Sequence, residues 1–79
     1  MEEKRTVEIG QIYRHFKGNE YKVLAIANDS EDHLKQFVVY QALYGEKLTW
    51  IRELDMFLSP VDKEKYPDVT QNYRFEIIS

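Results

Sequence analysis

The stretch from Phe37 to Phe57 constrains this chain more than any other. It opens with Phe37-Val38-Val39-Tyr40-Gln41-Ala42-Leu43-Tyr44, breaks at Gly45, resumes with Leu48-Thr49-Trp50-Ile51-Arg52, and ends in Leu54-Asp55-Met56-Phe57. Five of the eleven aromatic side chains lie within it. β-Branched and aromatic residues suit a pleated, half-buried surface, so the first run reads as a strand. Gly45 supplies the positive φ that a tight turn demands, and Glu46-Lys47 keep the turn in water. The stretch therefore reads as a hairpin followed by a compact corner.

A core built around this hairpin has to be small. The chain is 79 residues long with 43% hydrophobic residues, which fits one small domain. It has no cysteine, so neither a disulfide nor a thiolate zinc site supports the fold. Aromatic burial is the remaining means of stabilisation. The formal net charge is −3. No Lys/Arg cluster appears, and nucleic acid is disfavoured as a partner. No apolar run approaches the roughly 20 residues that span a bilayer. The charged start Met1-Glu2-Glu3-Lys4-Arg5 has no apolar segment behind it to form a signal peptide, so a soluble, cytoplasmic protein is expected.

Residues 1–8 are expected to form a flexible N-terminus, and residues 9–79 a single domain. Gln11–Phe16 reads as a first strand, with a turn at Lys17-Gly18-Asn19. Glu20–Asn28 is apolar on both faces and reads as a central strand. After the polar loop Asn28–His33, a third strand runs from about Lys35 to Tyr44 and a fourth from Leu48 to Arg52. Leu54 and Phe57 are spaced as one helical turn, which Ser59-Pro60 ends. Val61–Asn72 reads as a long irregular connection and the segment most open to motion. Tyr73–Ile78 alternates and closes the chain as a fifth strand.

About five short strands, tight turns and a short helical turn near Leu54–Phe57 predict an all-β fold, a small SH3-like barrel, with an OB-like barrel second and a twisted sheet covered by one helix third, since no amphipathic stretch is long enough for that helix. Val23, Ile26, Val39, Leu43, Ile51 and Phe75 are the expected core. The wording of the chain adds to this pattern. The blocks IYRHFKGNEYKVL, VVYQALYG, WIRELDMFL and RFEII, spread from about Gly10 to Ile78, resemble a small bacterial family known as domain of unknown function 1653. The resemblance implies an SH3-type barrel and no established activity, substrate or catalytic residue. Two positions depart from the family pattern. Asp29 stands where a His is usual, and Glu53 where a Pro follows the Trp-x-Arg, which is expected to loosen the corner before Leu54.

Two constellations carry candidate chemistry. Tyr13 and His15 share a strand face, with Arg14 beside them on the other. They offer a phenol, an imidazole and a guanidinium suited to an anionic or planar ligand. The structural reading of the same residues packs Tyr13 in the core and ties His15 to a turn. Trp50 and Arg52 share a face of the fourth strand, near Tyr40, Gln41 and Tyr44 on the third, as an aromatic–cation platform. The structural reading buries Trp50 and pairs Arg52 with Glu53 or Asp55. His15 and His33 lack a metal-ligand spacing, and Asp29-Ser30-Glu31-Asp32 lacks the turn and distal Glu of a calcium loop. No metal or cofactor is implied. No nucleophile elbow or phosphate-binding loop is present, and an enzyme is not expected. The reading is a binding module for a peptide or small ligand through Tyr13, Arg14, His15, Tyr40, Gln41, Tyr44, Trp50 and Arg52. A structural or homodimerising module, and a small enzyme or accessory domain, are the alternatives.

Overall fold

The structure is a computed structural model that describes residues 6–79. The expectation for Met1–Arg5 lies outside the described residues. Five strands form one antiparallel sheet: β1 (Ile12–His15), β2 (Glu20–Asn28), β3 (Gln36–Ala42), β4 (Thr49–Glu53) and β5 (Phe75–Ile77). A single helical turn, α1 (Leu54–Phe57), follows β4 directly. The strand order is β4-β3-β2-β1-β5.

Local sequence explains the turns. Gly18 (φ 104°) and Gly45 (φ 58°) occupy the left-handed region where a Cβ would be strained. The first turn is closed by the His15 N–H donating to the Asn19 carbonyl at 2.8 Å. The second is closed by the Lys47 N–H donating to the Tyr44 carbonyl at 3.0 Å.

The expected SH3-like barrel is not formed. β4 and β5 stand at opposite edges of an open sheet and do not pair with each other. Two local causes are visible. After β4 the chain turns into α1 and lays Phe57, fully buried, across the inner face of the sheet. The chain after α1 then meets the segment just before β5: Arg74 N–H donates to the Ser59 carbonyl and Val61 N–H to the Asn72 carbonyl, both at 2.9 Å. The sheet bends without closing, since the Tyr40 ring on β3 and the Phe75 ring on β5 lie 5.5 Å apart with two strands between them.

The core sits between that inner face and α1. Tyr13, Val23, Val38, Tyr40, Phe57 and Phe75 form it, with Val7 and Ile26 packed against it. Phe57 and Phe75 stack at 4.1 Å and 6°, and Tyr13 and Tyr40 meet Phe57 edge-on at 5.2 and 5.4 Å. Such ring pairs add about 0.5–1.5 kcal/mol each beyond their buried area.

The expected core is partly on the wrong face. Val23 and Phe75 are buried and Ile26 is half-buried, but Leu43 is 39% and Ile51 64% exposed, and Val39 is only half-covered. On β3 the buried residues are Val38, Tyr40 and Ala42, the set carrying a phenol. Both faces of β3 are apolar, so alternation alone does not choose between them; α1 does, by covering only one. β2 carries a second complication. Its register with β3 shifts between Val23 and Ala25, so Tyr21, Val23 and Ile26 face inward while Leu24 and Ala25 both lie on the outer side. That bulge is why β2 reads as apolar on both faces.

The 61–72 connection is irregular as expected, yet fastened. Val61 is buried, the Lys63 ammonium donates to the carbonyls of Val69 and Gln71, and the Tyr66 ring packs on Phe16 at 4.8 Å.

Candidate functional site

The inner face is covered by α1 at one end only. At the other end it opens into a hollow of about 200 Å³ with His15, Tyr21, Tyr40, Tyr44, Trp50, Arg52 and Phe75 around it. Five of the eight candidate residues therefore converge: His15, Tyr40, Tyr44, Trp50 and Arg52. Pairing explains how. Tyr40 is opposite Trp50 and Val38 opposite Arg52, so both β4 side chains point to the core side of the sheet.

Arg52 reaches into this hollow from the edge strand β4. Its Nε donates to the Tyr40 hydroxyl at 3.2 Å, and its guanidinium lies 5.8 Å from the centre of the Phe75 ring. The ion pairs among the described residues are Arg14–Glu20 and Lys35–Glu53, so neither Glu53 nor Asp55 neutralises Arg52. Trp50 is 47% exposed and forms a wall, not core. Tyr44 is also exposed, and its hydroxyl shares a hydrogen bond of 2.9 Å with Tyr21. Burial first, then that bond, pushes the Tyr21 phenol up to about 12, so Tyr21 keeps its O–H.

His15 is half-buried against Phe75, ring centres 4.9 Å apart. Its Nδ1 accepts the Lys17 backbone N–H at 3.1 Å, which places the proton of the neutral ring on Nε2. Burial, then the charges of Arg52, Arg74 and Lys17, lower its pKa from 6.5 to about 4. In a chain of net charge −3, this corner is locally cationic. It presents donors and one guanidinium beside aromatic faces.

The other three candidates are elsewhere. Tyr13 is buried beneath the site, with its hydroxyl donating to Gln11 Oε1 at 2.7 Å. Arg14 lies exposed on the opposite face and pairs with Glu20 at 3.3 Å. Gln41, also on the outer face, donates through Nε2 to the Lys47 carbonyl at 3.0 Å and holds the second turn. Tyr21 and Phe75 were not anticipated. The Gly18 turn sets Tyr21 opposite Tyr13 and so onto the inner face, a signal present in the sequence. Phe75 arrives through the β1–β5 pairing, opposite His15, and no local pattern announces that.

A larger hollow of about 370 Å³ lies beside β4 and α1, with Asp32, Lys35, Glu53 and Asp55 around it. It lacks aromatic walls. Among the described residues no group of three or more His, Cys, Asp or Glu side chains is placed to hold a metal ion. Solvated charges with one ion pair of 3.9 Å hold little binding energy, and the smaller aromatic hollow is the better candidate.

Comparison with known families bears on the whole assembly. Residues 11–77 match the family model described as "Protein of unknown function (DUF1653)". The chain belongs to that family. The match spans β1 to β5 and so includes every residue around the aromatic hollow. The DUF1653 description assigns no activity, ligand or source, so it adds nothing to the bacterial and cytoplasmic expectations. No curated protein and no solved structure matches the chain. Among the described residues, no helix is long and apolar enough to cross a membrane.

Proposed function

We propose that this DUF1653 domain is a binding module whose ligand joins a flat ring, or a proline, to an anionic group. The observation that carries this reading is Arg52. It is held by the Tyr40 hydroxyl and the Phe75 ring, faces no carboxylate among the described residues, and stands beside the half-exposed ring of Trp50. A guanidinium prepared in this way takes a carboxylate or phosphate in a charge-assisted, two-pronged contact. The neutral His15 supplies an Nε2–H donor, and Trp50 and Tyr44 supply stacking surface. Among the described residues the Tyr40 hydroxyl bonds to Arg52 and the Tyr44 hydroxyl to Tyr21, and no hydrogen bond joins either to His15, which supports binding over catalysis.

A thermal-shift screen of aromatic carboxylates, aryl phosphates and proline-containing peptides tests the reading. A ligand at about five times its Kd stabilises the folded state by about 1 kcal/mol. For a domain of this size that raises Tm by about 4–8 °C. Stabilisation by ring-bearing anions, and not by their neutral amides, is the expected result. Equal stabilisation by anions without rings would point to the surface lysines instead.

A further inference from the structure

We propose that β4 is a self-pairing edge, through which two copies of this chain join antiparallel about a two-fold axis at Ile51. This goes beyond ligand binding and does not depend on it.

The edge is open. The Ala42 N–H donates to the Leu48 carbonyl at 2.9 Å, which makes that pair a hydrogen-bonded one in the β3–β4 ladder. Antiparallel pairs alternate, so Tyr40–Trp50 and Val38–Arg52 are hydrogen-bonded, and Thr49, Ile51 and Glu53 are not. Their N–H groups point away from β3, and among the described residues none of the three donates to another group. Edge strands are ordinarily guarded by Lys, Pro, a bulge or a covering segment. The segment leading into β5 has such a cover in Ser59–Val61, whereas β4 carries an isoleucine, 64% exposed, at its midpoint.

The sequence of β4 is complementary to itself. Placed antiparallel with Ile51 opposite Ile51 of a second copy, each Ile51 N–H meets the other's carbonyl. Each Glu53 N–H meets the Thr49 carbonyl of the other copy. On the inner face Trp50 then falls opposite Arg52 of the second copy, twice, so an aromatic residue and a cation, not two cations, are opposed across the axis. On the outer face the cross-strand row Ala25–Val39–Ile51 continues into the same row of the second copy, covering the exposed isoleucine. No like charges face each other in this register. The two-fold uses each β4 edge once, so association stops at a dimer. Five residues a side make a small interface, and the dimer is weak and concentration-dependent.

Sedimentation velocity on the full chain up to about 1 mM, the weak end of specific association, reads the outcome. The expected result is a shift from the 9.5 kDa monomer toward twice that mass as concentration rises. Ile51→Lys puts two ammonium groups on the axis, and Glu53→Pro removes one outward N–H from each copy. Both variants should stay monomeric at the same concentration with Tm not lowered. Mixed labelled and unlabelled protein should show an intermolecular contact between Ile51 methyl groups. A wild-type chain that stays monomeric throughout overturns the proposal and leaves the edge to a strand of another protein. A dimer that survives both substitutions overturns it as well. Neither variant alters a residue around the hollow, so ligand binding by a monomeric wild type would leave the proposed function standing.

Discussion

Arg52 and Tyr40 share the hydrogen bond on which the candidate site turns. Arg52→Lys keeps the charge but loses the planar fork, and should weaken binding of an anionic ligand about 10-fold or more, the equivalent of about 1.4 kcal/mol. Because Arg52 is only partly buried and unpaired with carboxylate, Tm should change little; a large loss of Tm with affinity intact would make it a structural clamp. At Glu53 the backbone is already compatible with proline: its φ of −56° lies where proline is fixed, and its N–H is free of the ladder. Glu53→Pro should stabilise the monomer by about 0.4–1 kcal/mol through the unfolded chain, read by urea denaturation. Loss of the exposed 3.9 Å contact with Lys35 offsets little of that. His15 makes a pH-dependent prediction. The unfolded chain takes up this proton near 6.5 and the folded one only near 4, so the unfolded state binds more protons in between. Stability should therefore fall as pH drops from about 6.5 toward 4, and the fall should be shallower in His15→Gln. Identical pH profiles for the two proteins would remove His15 from the account.

The strands themselves were legible. β2 spans Glu20–Asn28 as read from sequence, the other four lie within a residue or two of the expected bounds, and α1 falls within the predicted turn. Period-two patterning and the glycine turns suffice for that, because both act locally. The face of each strand was less legible. β3 is apolar on both sides, and the β2 bulge reverses the phase of that strand midway. Which side is buried depends on where Phe57 and Phe75 dock, and that is decided by chain segments distant in sequence. A pair of substitutions checks the corrected assignment. Phe57→Ala should cost about 3–5 kcal/mol, as expected for a fully buried aromatic side chain. Leu43→Ala, on the outer face, should cost well under 1 kcal/mol. If Leu43→Ala proves the costlier of the two in chemical denaturation, the inner and outer faces have been exchanged.

For the whole molecule, closure was the inference that failed. Five short strands and tight turns are compatible with a barrel, but closure needs β4 and β5 to meet, and the chain spends the intervening residues on α1 and a fastened connection. The open form leaves one end of the inner face uncovered, and that opening is the candidate site. The site was legible as a set of strand-borne aromatics with one arginine, since Trp50 and Arg52 sit two apart on one strand. Its boundary was not, because Tyr13 belongs to the core while Phe75 comes from the far end of the chain. The central claim is that this cationic, aromatic hollow is where the domain binds. Titrating isotope-labelled protein with benzoate, followed by amide and side-chain NMR, tests it most directly. The account predicts saturable shifts of the Trp50 indole N–H, the Arg52 Nε–H and the His15 ring, abolished in Arg52→Ala and absent with benzamide. Shifts confined to the Asp32–Asp55 hollow or to the 61–72 connection, with Trp50 and Arg52 unmoved, would contradict it.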